Sequence, residues 1–238
     1  MLMNKDDMLP DGCAERPQGV PRDTHVSPRP NSGDAGEARG RILAAALRLF
    51  VDKGYASTPV REIVRTARVN IASVAYYFGD KAGLYRAVLN EPVQSVVDDA
   101  LPFDAPDISL EEALLRYMRS RLLPLGQGET LLLNVRLRLR EILEPTGMLD
   151  DERVREQSQQ RLLTVLAREL GLVQPDAGLH RLAFSIFSLV TYPYIGHEQI
   201  RHMEPALFDA PGAISAWIKG LTAYAVAMVD AERRQRAA

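Results

Sequence analysis

Cysteine, aromatic residues and long apolar runs are scarce in this chain of 238 residues. The single cysteine, Cys13, has no partner, so a disulfide within the chain and a cysteine-based zinc site are excluded, which suits a reducing cytoplasm. The most apolar stretch, 182–195, is shorter than the roughly 18 residues that span a membrane, and two serines and a proline interrupt it. Residues 1–36 lack the apolar segment of a signal peptide. We therefore expect a cytoplasmic protein without a membrane partner.

Helix-forming residues dominate the composition instead. Alanine, leucine and arginine are plentiful, aromatic residues make up 6%, and no segment alternates apolar and polar residues as a strand does. We therefore predict an all-α protein. After the first 80 or so residues, the candidate helices are 84–100, 110–124, 128–144, 150–171, 176–192 and 212–233.

The formal net charge of −2 is distributed unevenly along the chain. Residues 37–90 hold nine basic and four acidic side chains, a net charge of +5, while residues 1–36 carry −2 and the remainder carries −5. A basic N-terminal module on an acidic body is typical of a protein that binds nucleic acid. A charged, solvated surface without such a partner gives the same pattern.

Residues 1–36 contain five prolines and show no apolar period, so we predict a disordered tail. Three arginines in this tail, Arg16, Arg22 and Arg29, are candidates for contact with DNA phosphates. The alternative is a flexible tail that contacts nothing.

Capping residues and apolar periodicity predict a series of short helices after this tail. Thr58 is a candidate N-cap for the second helix, and Pro59 suits its first position. Asn70 is placed to cap the third helix and Asp80 to cap the fourth. A turn of about three residues between the second and third helices is typical of a helix-turn-helix, here at about 60–79. A three-helix bundle without a DNA role is the alternative.

Three segments of this region, ILAAALRLFVDKGY, TPVREI and VNIASVAYYFGDKAGLY, resemble the DNA-binding domain of the TetR/AcrR regulators. Downstream, the segment REILEPTGMLD resembles the subgroup that carries a CecR-type C-terminal domain. In that comparison Arg140, Glu141, Glu144, Pro145 and Thr146 stand in places comparable to those of an R-E-x-x-x-P-T segment.

The resemblance implies three parts: the tail at 1–36, a helix-turn-helix DNA-binding domain at 37–97, and a helical ligand-sensing and dimerisation domain at 98–238. It implies a sequence-specific transcription regulator, most often a repressor that a small-molecule effector releases from a palindromic operator. Such a protein is associated with the nucleoid while it is bound to double-stranded DNA.

Two residues depart from the family pattern. Arg68 stands in the turn where a glycine is usual, so a positive φ at this position would cost on the order of 1 kcal/mol of strain. Val64 replaces a smaller residue inside the second helix and is expected to push the second and third helices slightly apart. Neither change removes a group that we expect to contact DNA.

Side chains of the third helix are expected to face the major groove. Ile71 and Ala72 suit thymine methyl groups, and Ser73 can donate or accept a hydrogen bond. By resemblance, Tyr76 reaches the rim of the groove and Tyr77 reaches a phosphate. Core packing is the alternative for both tyrosines.

A second set of residues is expected near the phosphates. Thr58 and Lys81 lie at predicted helix N-termini, where backbone N–H groups and the helix dipole favour an anion. Asn70 directly precedes the recognition helix, and Arg41 and Arg61 are further phosphate candidates. Simple solvated side chains are the alternative for Lys81 and the two arginines.

The last two long helices are predicted to form a homodimer interface as a four-helix bundle. Burial inside one subunit is the alternative. The apolar residues assigned to this interface are Leu179, Leu182, Ala183, Ile186, Leu189, Val190, Ile214, Trp217, Ile218, Leu221, Ala225 and Met228.

Six polar side chains in the C-terminal domain are candidates for binding an unidentified amphipathic effector, because an apolar cavity with a few polar anchors suits a small molecule. For the i, i+4 pair Arg140 and Glu144, a simple ion pair is the alternative. The candidates are Arg136, Arg140, Glu144, Tyr192, Tyr194 and His197.

The sequence predicts no cofactor, no metal and no catalytic activity. His197 and His202 are five residues apart, which does not place them on one helix face, and a third ligand is missing. Glu141 and Glu144 are the candidate acid and base for a helical hydrolase, but a solvated helix edge is the preferred interpretation of both. An interaction protein that has lost operator binding is a further alternative.

Overall fold

The computed structural model describes residues 32–90, 102–149 and 152–238, and their regular structure is helical throughout, as predicted. The helices are α1 (Ser32–Lys53), α2 (Val60–Ala67), α3 (Ile71–Phe78), α4 (Lys81–Asn90), α5 (Leu110–Leu122), the 3-10 turn η1 (Leu123–Gly126), α6 (Glu129–Leu143), α7 (Glu152–Glu169), α8 (Ala177–Ile195), α9 (His197–Met203), α10 (Ala206–Asp209) and α11 (Ala213–Ala237). We call α1–α4 the head and the helices from α5 onward the body.

The first helix begins earlier than the sequence indicated. Helix α1 starts at Ser32, inside the segment 1–36 that we predicted to be disordered. The apolar face of α1 from Ile42 onward packs into the head, and this packing offsets the free-energy cost of starting the helix. Extending α1 toward its N-terminus through alanines and Glu37, which favour helix, then costs little free energy. Tail residues 1–31 and their three arginines lie outside the described residues, as does the predicted domain boundary at 97/98.

Helix α8 runs to Ile195, three residues beyond the predicted end, and includes Pro193. Pro193 is buried near the last turn of α8. The carbonyl of the preceding residue, Tyr192, accepts a hydrogen bond from the Gly196 N–H at 2.8 Å. The short helices α9 and α10 were not predicted, because segments of seven and four residues show too little periodicity.

Two apolar clusters organise the chain. The body cluster joins α5, α7, α8 and α11, with residues such as Leu114, Leu166 and Ile186 fully buried. The head cluster is built around Ile42 and Phe50, but it also includes Leu137 of α6. The core of the head is therefore completed by a helix of the body.

Polar side chains of α6 reinforce this junction by capping the ends of head helices. Asn134 Nδ2 donates to the Val88 carbonyl at 2.7 Å, and Arg138 Nη1 donates to the adjacent Leu89 carbonyl at 3.1 Å. Both acceptors are in the last turn of α4, where carbonyl groups lack helical partners. Helix α6 thus contacts both the backbone and the core of the head.

Candidate nucleic-acid interface and domain junction

The third helix is capped as predicted and presents one face outward. The side chain of Asn70 accepts a hydrogen bond from the Ala72 N–H at 3.0 Å, which confirms the N-cap. Val74 is 2% exposed and anchors the inner face, whereas Ile71 is 51% and Tyr76 80% exposed. Exposed apolar side chains of this size are unusual on a helix that packs so closely, and they mark α3 as a surface for contact.

The turn before α3 contains the one described non-glycine residue with positive φ. Arg68 adopts φ 54° and ψ 48°, the left-handed conformation that the glycine of related sequences would adopt without strain. This geometry lets the Arg68 N–H bond to the Arg65 carbonyl and the Val69 N–H bond to the Val64 carbonyl. The tight turn between α2 and α3, which sets the orientation of α3, therefore retains backbone strain at Arg68.

The C-terminal end of α3 forms an aromatic edge. The rings of Tyr76 and Tyr77 meet edge to face at 4.8 Å, and Tyr77 and Phe78 pack against the head cluster. Tyr77 therefore combines core packing with partial exposure, and Tyr76 is free of the core. The guanidinium of Arg39, which we did not predict as part of the interface, lies 5.2 Å from the centre of the Phe78 ring. Arg39 is far from α3 in sequence, so no local pattern indicated this contact.

Thr58 does not have the role that we predicted. Its side chain is 0% exposed, and its hydroxyl donates to the carbonyls of Gly54 at 2.7 Å and Leu49 at 3.2 Å. Helix α2 begins one residue later than expected, with Pro59 before it and no side-chain cap. The hydroxyl satisfies carbonyls at the end of α1, so it is not available to a phosphate.

Lys81 is directed toward the loop between α1 and α2. Its Nζ lies 4.4 Å from the centre of the Tyr55 ring and donates to the Ala56 carbonyl at 3.4 Å. Partial burial lowers the pKa of Lys81. Asp80 accepts from the Gly83 N–H at 2.7 Å, which is the cap predicted for α4.

The remaining basic candidates lie on the surface of α1 and α2. Arg41 is half-exposed and makes a long ion pair of 3.8 Å with Glu37. Arg61 is exposed in the first turn of α2, and Arg65 is exposed one turn later. The guanidinium groups of Arg61 and Arg65 are therefore open to solvent on α2, and the ion pair that Arg65 makes with Glu62 is long, at 4.0 Å.

The structure does not bring the six predicted effector residues into one cavity. Arg140 and Glu144 pair with each other at 2.9 Å, and Arg140 Nη1 also donates to the Val51 carbonyl at 3.2 Å. Both line a cleft of about 450 Å³ between the α1–α2 loop and the end of α6. Lys53 borders the same cleft, and its Nζ pairs with Glu62 at 2.6 Å.

The other four candidates lie elsewhere in the body. Arg136 and the buried His197 each approach the carboxylate of Glu198, at 3.6 and 3.5 Å. Tyr194 is 2% exposed and donates to the Arg121 carbonyl at 2.5 Å, and burial raises its pKa above the usual range. Tyr192 is 56% exposed. Tyr194 is therefore a core residue with a satisfied hydroxyl.

A buried hydrogen-bonded cluster around Glu141 at the junction was not predicted. Glu141 is 4% exposed and accepts a hydrogen bond from the Tyr85 hydroxyl, while its second oxygen accepts from the N–H and hydroxyl of Thr146 at 3.1 and 3.0 Å. Burial and this carboxylate raise the pKa of Tyr85 above its usual range. The sequence segment singled out Glu141 and Thr146, but only the fold places Tyr85 against them.

The apolar stripes assigned to a dimer interface belong instead to the core of a single subunit. All twelve residues lie in or against the body cluster, since α8 and α11 turn these faces toward each other and toward α5. The same two helices expose a different set of apolar side chains. On α8 these are Phe184, Tyr192 and Ile195, and on α11 the largest is Tyr224, each more than half exposed.

Among residues 32–90, 102–149 and 152–238, no group of three or more metal-ligating side chains gathers at one point. Within the same ranges no helix has the length and apolar character to cross a membrane.

The fold and the exposed α3 define a helix-turn-helix protein with an attached helical body. Residues 42–88 match the tetR family of bacterial regulatory proteins, and residues 110–231, just over half of the chain, match the C-terminal domain of the HTH-type transcriptional dual regulator CecR. The chain therefore belongs to the TetR family and carries a CecR-type C-terminal domain, as the sequence motifs indicated.

Individual relatives support this assignment. The chain is 34% identical to CecR from Shigella flexneri over 122 residues, which cover 47% of this chain and 54% of CecR. It thus spans about half the length of that relative. Among solved structures, the hemolysin II transcriptional regulator HlyIIR is similar with a TM-score of 0.54 at 22% identity, over 79% of this chain and 98% of HlyIIR. AibR, solved with isovaleryl coenzyme A and operator DNA, is similar with a TM-score of 0.53 at 21% identity, over 78% and 96%.

Proposed function

We propose that this protein is a DNA-binding transcription regulator, a repressor that binds a palindromic operator as a homodimer and leaves it when a small-molecule effector binds. The observation that carries the DNA-binding part is the capped α3, which exposes Ile71 and Tyr76 and is flanked by exposed arginines of α2. A short helix presented in this way fits the major groove, and the cations beside it suit the phosphates.

Fluorescence anisotropy with duplex DNA from the intergenic region beside its own gene tests this proposal. We expect saturable binding that exceeds binding to a scrambled duplex, and a double variant Arg61→Ala, Tyr76→Ala that loses it. Arg61→Ala alone should reduce the slope of log affinity against log salt by about one phosphate contact. Arg119→Ala, which removes an exposed arginine of α5, is the matched control. Equal binding of both duplexes by every variant would contradict the proposal.

Dimerisation is proposed through the exposed faces of α8 and α11 rather than through the predicted stripes. Phe184 and Tyr192 stand two turns apart on α8, and Tyr224 is 62% exposed on the adjoining helix α11. Two such pairs related by a two-fold axis form a four-helix bundle, which would hold two heads about 34–36 Å apart, one turn of DNA.

Sedimentation equilibrium, which measures the oligomeric state, tests whether this surface forms the dimer. The double variant Phe184→Asp, Tyr224→Asp should sediment as a monomer and bind the operator with a much lower affinity. Val173→Asp is the control, because Val173 is a fully exposed apolar residue that precedes α8 and belongs to neither helix. A dimer of unchanged stability in the double variant would exclude this interface.

Effector release is proposed to act through α6. This helix caps α4 through Asn134 and Arg138 and bonds the end of α1 through Arg140, so a shift of α6 changes the position of the head. Arg140 and Glu144 also line the junction cleft, which supports them as effector contacts. Since AibR was solved with isovaleryl coenzyme A, that compound is a first probe, with free coenzyme A as its control. Release of DNA should be weakened by Arg140→Ala; a full response in that variant would exclude this route.

A further inference from the structure

The recognition helix has an unusual chemical character for a surface that meets DNA bases. Its sequence, IASVAYYF, contains no arginine, lysine, asparagine, glutamine or acidic residue. The exposed positions are Ile71, Ala72, Ala75 and Tyr76, while Ser73 is half-buried and Val74 is buried. The outward face of the first turn therefore consists largely of methyl groups.

The one amide next to this face is already engaged. Asn70 uses its side-chain oxygen to accept from the Ala72 N–H at 3.0 Å, which fixes the amide at the start of the helix. Bidentate reading of adenine needs an amide that offers both its oxygen and its nitrogen to the base, and bidentate reading of guanine needs an arginine or lysine. Helix α3 supplies neither.

The major-groove edges of the four base pairs offer one apolar group, the C5-methyl of thymine. We infer that Ile71 and Ala72 read thymine methyl groups, so that each operator half-site carries A·T pairs under the first turn of α3. The inference rests on the proposed function and specifies what that site recognises. Arg61 and Arg65 on α2 then serve the phosphates, which position the helix without selecting bases.

Uracil in place of thymine removes only this methyl group, so it isolates the contact. A binding site is first selected from a pool of random duplexes with the full-length protein. Each thymine of the selected half-site is then replaced by deoxyuridine in turn, and affinities are measured by anisotropy. At the contacted positions we expect affinity to fall about fourfold per methyl group, the change in equilibrium constant that corresponds to burying one such group. 5-Methylcytosine placed there should bind better than cytosine.

A thermodynamic cycle separates direct contact from altered DNA shape. In Ile71→Ala the uracil substitution opposite Ile71 should cause little further loss, because the protein side of the contact is gone. Ile71 is half-exposed, so this variant should fold, which circular dichroism verifies. Ile142→Ala is the matched control, since Ile142 is 43% exposed on α6, and it should keep the full fourfold effect.

The outcomes separate the two proposals. Duplexes with thymine and uracil that bind equally at every position would overturn the methyl inference while the regulator function stands. A uracil effect of unchanged size in both Ile71→Ala and Ala72→Gly would also overturn it, and would assign the effect to DNA deformability. Failure to enrich any sequence from the pool would overturn the regulator function and this inference with it.

Discussion

The head and the body use their polar and apolar side chains in opposite ways. In the head, Ile71 and Tyr76 of α3 stay exposed while the cap and the tight turn before them use backbone groups. In the body, polar side chains are used in internal contacts, as in the hydrogen bond from the Tyr194 hydroxyl to the Arg121 carbonyl. The difference between the two regions is therefore one of polar chemistry: the head leaves the outer face of α3 exposed, whereas polar side chains of the body such as Tyr194 are held inside it.

The largest effect is expected at the Glu141 cluster, which joins the head to the body. Glu141→Ala leaves the buried Tyr85 hydroxyl and the Thr146 N–H without their acceptor. We expect the free energy of unfolding to fall by about 3 kcal/mol, since a hydrogen-bonded buried carboxylate is removed. Guanidinium unfolding at neutral pH, followed by circular dichroism, measures the loss.

Glu144→Ala is the control for this prediction, because Glu144 lies one turn away on the surface and pairs with Arg140. Its effect should stay within about 0.5 kcal/mol. Similar losses in both variants would show that the buried hydrogen bonds of Glu141 contribute no more to stability than the exposed ion pair of Glu144.

Local rules were sufficient for the head and insufficient for the body. The Asn70 cap and the αL turn at Arg68 both depend on neighbours within a few residues, so the sequence predicts them. Two features of the head escaped these rules, the start of α1 at Ser32 and the role of Thr58. A threonine hydroxyl can cap the start of one helix or bond the last carbonyls of another, and only the packing of α1 selects the second role here.

The body shows why periodicity alone does not assign a partner. The stripe containing Leu182 and Ile186 was recognised as apolar, but periodicity does not tell which helix covers it, and the subunit's own core does. The face with Phe184 and Tyr192 was overlooked, because serines and threonine interrupt it. Likewise, Arg140 and Glu144 have the predicted i, i+4 ion pair, while the bond from Arg140 to the Val51 carbonyl required the packed structure.

A second prediction concerns the strain that the head retains to aim α3. Because Arg68 has φ 54°, Arg68→Gly should be more stable than Arg68→Ala by about 1 kcal/mol, since both remove the charge and only glycine adopts this conformation without strain. Thermal unfolding of the two variants gives the difference. Equal stability would mean that the turn relaxes to another conformation, in which case the orientation of α3 would depend on packing alone.

The smallest effect is expected in the body, where a charged pair joins the segment before α5 to α7. Two hydrogen bonds from Arg161, at 2.8 and 2.5 Å, lower the pKa of the Asp104 carboxyl. A carboxyl with a lowered pKa in the folded state contributes stability above its unfolded value, about 3.9, and loses that contribution as pH falls through the folded value. Asp104→Asn should therefore cost about 0.5 kcal/mol at pH 7, because the pair is partly exposed.

This difference between wild type and Asp104→Asn should shrink as the pH of the unfolding experiment is lowered from 5 toward 3. Asp107→Asn, which changes an exposed aspartate of the same segment, should show no such trend. A difference that stays constant with pH would mean that the asparagine disturbs packing around Phe103, whose ring lies 4.7 Å from the Arg161 guanidinium, and that the charge on Asp104 adds nothing. The stability of the body would then owe nothing to this charged pair, and the contrast with the cation-rich head would be sharper.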